Sequence, residues 1–177
     1  MKQRITQKLR NFRLKEDGNA AVEFVIMAPL LLILMLASVE IGMMTIRNSL
    51  LERAMDDTVR WVRLNTGAAP THAELKTMIC EYNVVPDCET NLQLEMLVRD
   101  LRSWEVLPAS YTCTDRAEEI LPMSEFSLGE DNELVVLRAC AKFEPLFPNA
   151  LFASVLSKDG AGDAALTYTT AFVQEPR

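Results

Sequence analysis

Four cysteines, Cys80, Cys88, Cys113 and Cys140, and a single histidine, His72, are the side chains of this 177-residue sequence most suited to chemistry. Thiolates and imidazoles bind zinc, and a cysteine or serine beside a histidine can act as a nucleophile. Neither pattern is legible. No C-x2-C pair exists, the cysteines are separated by 7, 24 and 26 residues, and His72 has no second histidine near it. With one histidine there is no Ser/His/Asp constellation, and no glycine-rich phosphate loop stands beside it. We expect no metal, no cofactor and no enzymatic activity. An even cysteine count in an exported region favours two disulfides, for which four cysteines allow three connectivities. The preferred one joins Cys80 to Cys88 across a short loop and Cys113 to Cys140.

Two carboxylates pose a different question. The 23 residues from Phe24 to Ile46 contain one charged side chain, Glu40, and Glu23 stands immediately before them. As a helix this run spans roughly 35 Å, enough for a hydrocarbon core about 30 Å thick. A secretory signal peptide has a shorter apolar core ending at a small-x-small cleavage site. No such site follows Leu36, so the segment is expected to stay in the mature protein. Pro29 lacks an N–H and is expected to kink the helix; Gly42 either admits a neighbouring helix or has no special role. Glu40 is expected at the far membrane interface.

Charge orients the segment. Residues 1–18 carry Lys2, Arg4, Lys8, Arg10, Arg13 and Lys15, a net +4, whereas the rest of the chain carries −11. Lys and Arg stay on the cytoplasmic side of a membrane helix, which places the arm inside and the acidic body outside. A nucleic-acid tail is the competing use of a basic arm, but the acidic body argues against a nucleic-acid partner.

These side chains need positioning elements. Beyond the apolar run, Ile46, Leu50, Leu51, Ala54, Met55, Thr58, Val59 and Val62 recur at helical steps, with Arg47, Glu52, Arg53, Asp56, Asp57, Arg60 and Arg63 on the polar side. One helix is predicted from about Ala20 to Leu64. Its second half packs on its own domain, on other subunits, or on both along different lengths. Thr71-His72-Ala73-Glu74 has capping-box spacing before a short helix whose buried side is Leu75, Met78 and Ile79. Strands are predicted near Asn91–Arg99 and over residues 133–145 and 166–174, with a short helix after Pro148 in which Phe147 and Phe152 help close the core. The loop from Leu107 to Gly129 is the candidate for variable partner contact. The fold class is α+β: a long N-terminal transmembrane and amphipathic helix packed on a small antiparallel β-sheet domain. The divisions are a leader over 1–18, the helix over 19–66 and an outer domain over 67–177.

The stretch Gly18-Asn19-Ala20-Ala21-Val22-Glu23-Phe24 resembles the type IV prepilin cleavage motif, which a membrane aspartyl peptidase cuts after the glycine. The longer string GNAAVEFVIMAPLLLILML, with Pro29 six residues after Glu23, is similar to the TadE-like family of minor pilins and pseudopilins from tight-adherence pilus systems. Arg60 and Trp61 resemble the Arg-aromatic pair of that family's helix. The resemblance covers about residues 16 to 64. It implies cleavage between Gly18 and Asn19 by a prepilin peptidase, a pilin-like fold, residence in the bacterial inner membrane with a periplasmic body, and assembly with other pilin or pseudopilin subunits and the pilus machinery. Glu23, with Phe24 beside it, would then meet a neighbour's free amino terminus, a pairing that offsets the cost of a carboxylate in hydrocarbon. A headgroup-facing Glu23 is the plainer alternative. Asn19 stands where many pilins have an aromatic residue, so N-methylation is not implied. An uncleaved, membrane-anchored periplasmic scaffolding or binding module of a secretion apparatus is the competing function.

Overall fold

The computed structural model describes residues 19–100, 102–103, 107–108, 113–114, 125–150 and 152–176. The leader, Gly18 included, lies outside the described residues, as does most of the loop from Leu107 to Gly129.

Helix α1, Asn19–Leu64, is a single 46-residue element that passes through Pro29. Proline there deprives the Val25 carbonyl of its usual donor. The helix changes character along its length. From Ala20 to Val39 no side chain is buried. From Leu51 onward Leu51, Ala54, Met55, Thr58, Val59 and Val62 are buried along one stripe, as their three- and four-residue spacing dictates. Thr58 is tolerated on that stripe because its Oγ1 donates to the Ala54 carbonyl at 2.7 Å. Ile46, expected on the same stripe, is instead 54% exposed, because at about 100° per residue it lies roughly 140° around the axis from Leu51, while Met44 and Arg47 continue the stripe.

Helix α2, His72–Cys80, starts with a complete capping box. The Glu74 N–H donates to Thr71 Oγ1 at 3.2 Å, and the Thr71 N–H donates to Glu74 Oε2 at 2.7 Å. The Thr71 N–H, and then its hydroxyl donating to the same Oε2 at 3.1 Å, hold the Glu74 carboxyl below its ordinary range. Leu75 and Ile79 are fully buried against α1, each a side chain whose burial contributes about 1.5–3 kcal/mol. A single turn, α3 (Cys88–Asn91), follows Asp87, whose φ of 49° is left-handed. The Cys80–Cys88 disulfide, with Cα atoms 5.5 Å apart, ties that turn to the end of α2.

Three strands, β1 (Leu92–Arg99), β2 (Leu134–Phe143) and β3 (Ala164–Val173), form an antiparallel sheet in chain order. The register pairs Leu94 with Ala139 and Ala139 with Tyr168. One face carries Leu92, Leu94, Met96, Val135, Leu137, Ala139, Ala141 and Phe143 into the core with α1 and α2. The arrangement is the α+β one expected: a long apolar helix packed on a small antiparallel sheet.

The two faces differ in what covers them. On β3 the outer face, from Ala165 to Val173, is exposed at every position, a period-two pattern of burial. On β1 and β2 the outer face is covered as well: Leu97 and Val136, directly paired, are buried, and so is Cys140. The Cys113–Cys140 disulfide lies on this side, with Cα atoms 5.4 Å apart. Arg138 donates to the Pro108 carbonyl at 2.9 Å and pairs with Glu95 at 3.4 Å. The β1 edge is also engaged, since the Met96 N–H donates to the Glu125 carbonyl and Ser127 returns a bond to Met96. Both disulfides are the pairs preferred from spacing.

The short helix expected after Pro148 is replaced by turns. Ala150 and Val155 N–H groups bond three residues back, to Phe147 and Phe152, and Ser154 bonds to Ala150. The preceding N–H groups, of Leu146 and Phe147, are held by a side chain of α1. Phe147 and Phe152 are accordingly half-buried beside α1 rather than part of the central core.

Candidate assembly interface

The first half of α1 is apolar around most of its girth, and from Ala20 to Val39 none of its side chains is buried. Phe24 is 71% exposed, and Val25, Ile26 and Leu31 are nearly as bare. Such a surface is far larger than the apolar patches soluble monomers expose. By length and composition the helix can cross a membrane. Glu23 stands on this bare segment, exposed, one turn from the helix start, where the unsatisfied N–H groups and the helix dipole favour a negative charge. Asn19 is the first residue of the helix. Ser38 and Thr45 hide their hydroxyls by donating to carbonyls four residues back, so neither disturbs the apolar surface.

The bare segment ends at Glu40. This residue, expected at the far membrane interface, is only 1% exposed and enclosed by protein. Its Oε1 accepts the Leu146 N–H at 3.1 Å and its Oε2 the Phe147 N–H at 3.0 Å. Backbone donors to both oxygens are what a buried carboxylate requires. Two turns on, Arg47 lies over the Phe143 ring at 4.8 Å and donates to the Glu144 carbonyl at 3.5 Å. Glu40 and Arg47 together clamp the segment from Phe143 to Phe147 onto α1. Phe152 completes the contact, bordering Ile41, Met44, Thr45 and Asn48. The signal in the sequence was a lone carboxylate in an apolar run, which demands a partner. That partner lies 106 residues downstream and has no side-chain signature.

At the other end of α1, Arg60 and Trp61 are solvent-accessible. Arg60 and Arg63 border an open groove of about 1070 Å³ between α1 and β3, and Arg63 pairs with Glu175 at 2.8 Å across it. The pair is exposed and contributes little to stability. Gly42 has open space around its Cα. His72 packs edge-on against Phe126, ring centres 5.4 Å apart, and burial, then the nearby Lys76, push its pKa down. Among the described residues no cluster of three His, Cys, Asp or Glu side chains converges on a metal position.

The family model described as TadE-like protein matches residues 18–60. This segment is TadE-like. The match runs from Gly18 through the bare half of α1 and its first core-facing turns to Arg60, and the sheet domain lies beyond it. No curated protein and no solved structure matches the chain. The TadE-like segment relates the protein to tight-adherence pilus systems and their assembly machinery, and its apolar helix is suited to membrane anchoring.

Proposed function

We propose that the protein is a minor pilin or pseudopilin of a tight-adherence, type IV-like pilus, acting in assembly and carrying out no catalysis. It is made with residues 1–18 in the cytoplasm, α1 across the inner membrane and the sheet domain in the periplasm. A prepilin peptidase removes the leader after Gly18, leaving Asn19 as the new amino terminus. The bare half of α1 then packs laterally against other pilin or pseudopilin helices. Glu23 faces a neighbour's free amino group, the one partner that neutralises a carboxylate in that apolar setting.

The observation that carries this reading is the bare helix itself. An apolar segment begins directly after Gly18, bears Glu23 near its start and coincides with the TadE-like match. The periplasmic placement is supported by the two disulfides, which persist in oxidising compartments.

Intact-mass measurement of the protein purified from its native membrane tests the processing step. A chain beginning at Asn19 is expected. A chain that retains Met1 to Gly18 would sink the prepilin reading and leave the uncleaved scaffolding module in its place.

A further inference from the structure

Helix α1 provides a depth scale. Counted from Glu23 at the cytoplasmic edge, a hydrocarbon core about 30 Å thick is crossed in roughly 20 residues, ending near Met43. Glu40 lies about 25 Å along the same axis, short of that far edge. A carboxylate at this depth is costly unless protein fills its lone pairs. The N–H groups of Leu146 and Phe147 do so. The start of the β2–β3 connection must therefore reach the same depth as Glu40.

The composition of that connection suits the location. Residues 145–157, PLFPNALFASVLS, contain no charged side chain, although the chain beyond residue 18 carries a net −11. Leu146, bonded through its N–H to Glu40, leaves 46% of its surface exposed, and Val155 in the same connection is 81% exposed. In sequence the run lies between Glu144 and Lys158; Lys158 donates to the Pro148 carbonyl at 2.7 Å, and Arg47, about 10 Å beyond Glu40 along α1, donates to the Glu144 carbonyl. Basic side chains beside an apolar patch suit the phosphate level of a bilayer.

We propose that the β2–β3 connection is a second membrane contact, with Leu146 and Phe147 resting in the lipid interface of the outer leaflet beside α1. The inference rests on α1 spanning the bilayer as proposed above. The occupant is phospholipid, because Glu40 fixes the connection at bilayer depth and the run brings no charged side chain there, its polar backbone staying at the interface. The body is thus held to the membrane surface by its own loop as well as by its helix.

Tryptophan quenching tests this on the full chain in phosphatidylethanolamine/phosphatidylglycerol vesicles doped with acyl-brominated phosphatidylcholine. Trp61→Phe and Trp104→Phe remove the native signal, and Leu146→Trp or Phe24→Trp supplies one probe at a time. Peptide mapping that recovers both disulfides verifies folding of each variant. The L146W probe is expected to lose most of its emission to brominated lipid and to be shielded from aqueous acrylamide. Adding Glu40→Ala is expected to restore acrylamide access. Quenching of F24W by brominated lipid with L146W untouched by it overturns the loop contact and leaves the span intact. Shielding of L146W from both quenchers also overturns it, in favour of a second copy of the chain. If neither probe responds to brominated lipid, the span reading fails and this inference falls with it.

Discussion

Glu40 and Glu23 are chemically the same residue in the same helix, and their surroundings assign them opposite duties. Glu40 is satisfied within its own chain, so its loss exposes a local debt. Glu40→Ala leaves two buried N–H groups without an acceptor and is expected to destabilise the folded body by about 1–3 kcal/mol in denaturant melts. Asp159 offers a pH-dependent counterpart. Burial alone would raise its pKa, but Lys142 Nζ at 2.8 Å and the N–H groups of Asp163 and Ala161 outweigh that and hold it below the ordinary 3.8. A depressed carboxyl contributes stability that is complete above the unfolded value and is lost as pH falls through the folded one. The stability gap between wild type and Asp159→Asn should be constant near neutrality and close below pH 3.8, as measured by thermal melts across that range.

Among the elements, those specified by neighbouring residues were the most legible. The capping box over Thr71–Glu74 predicts the start of α2, and the helical spacing of Leu51 to Val62 predicts the stripe that α1 buries. The strand patterns locate β1 to β3 within a few residues, since alternation or a β-branched run survives wherever a sheet face is covered. What escaped prediction depends on distant contacts. The connection after Pro148 has helix-compatible residues, but its start is placed by Glu40 and Arg47, which lie far away along the chain. The α3 turn is likewise too short to show a period and is secured by a disulfide. The two disulfides should contribute unequally. They close separations of 8 and 27 residues, so in the chain-entropy account breaking Cys113–Cys140 costs about 1 kcal/mol more than breaking Cys80–Cys88. Paired Cys→Ser variants compared by chemical denaturation test the ranking; equal losses would put native-state strain or packing ahead of loop entropy.

At the scale of the whole molecule, the apolar surface of α1 and the cored sheet domain divide the work. The core from Leu51 to Phe172 is built without the bare half, whose side chains from Ala20 to Val39 stay unburied among the described residues. Glu23→Ala should therefore leave domain stability and membrane insertion unchanged while reducing recovery of the protein in sheared pilus fractions. Normal recovery by immunoblot would count against pairing with a neighbour's amino terminus. The apolar run was readable in the sequence because its signal is contiguous. Its far boundary was not, because it depends on backbone groups from the other end of the chain.

Helix α1 is one continuous element from Glu23 to the residues that grip the sheet, with Pro29 inside it. Angular phase is then a matter of counting. At about 100° per residue, the 17 steps from Glu23 to Glu40 leave the two carboxylates about a quarter turn apart around the axis. The buried stripe from Leu51 to Val62 spans that angle, with Met55 and Val59 lying nearer the Glu23 azimuth and Leu51 and Thr58 nearer that of Glu40. Inserting or deleting one residue between Glu40 and Leu51 would turn the domain by about 100° and move it along the axis by only about 1.5 Å. The number of residues in this stretch, more than their identity, sets which way the body faces.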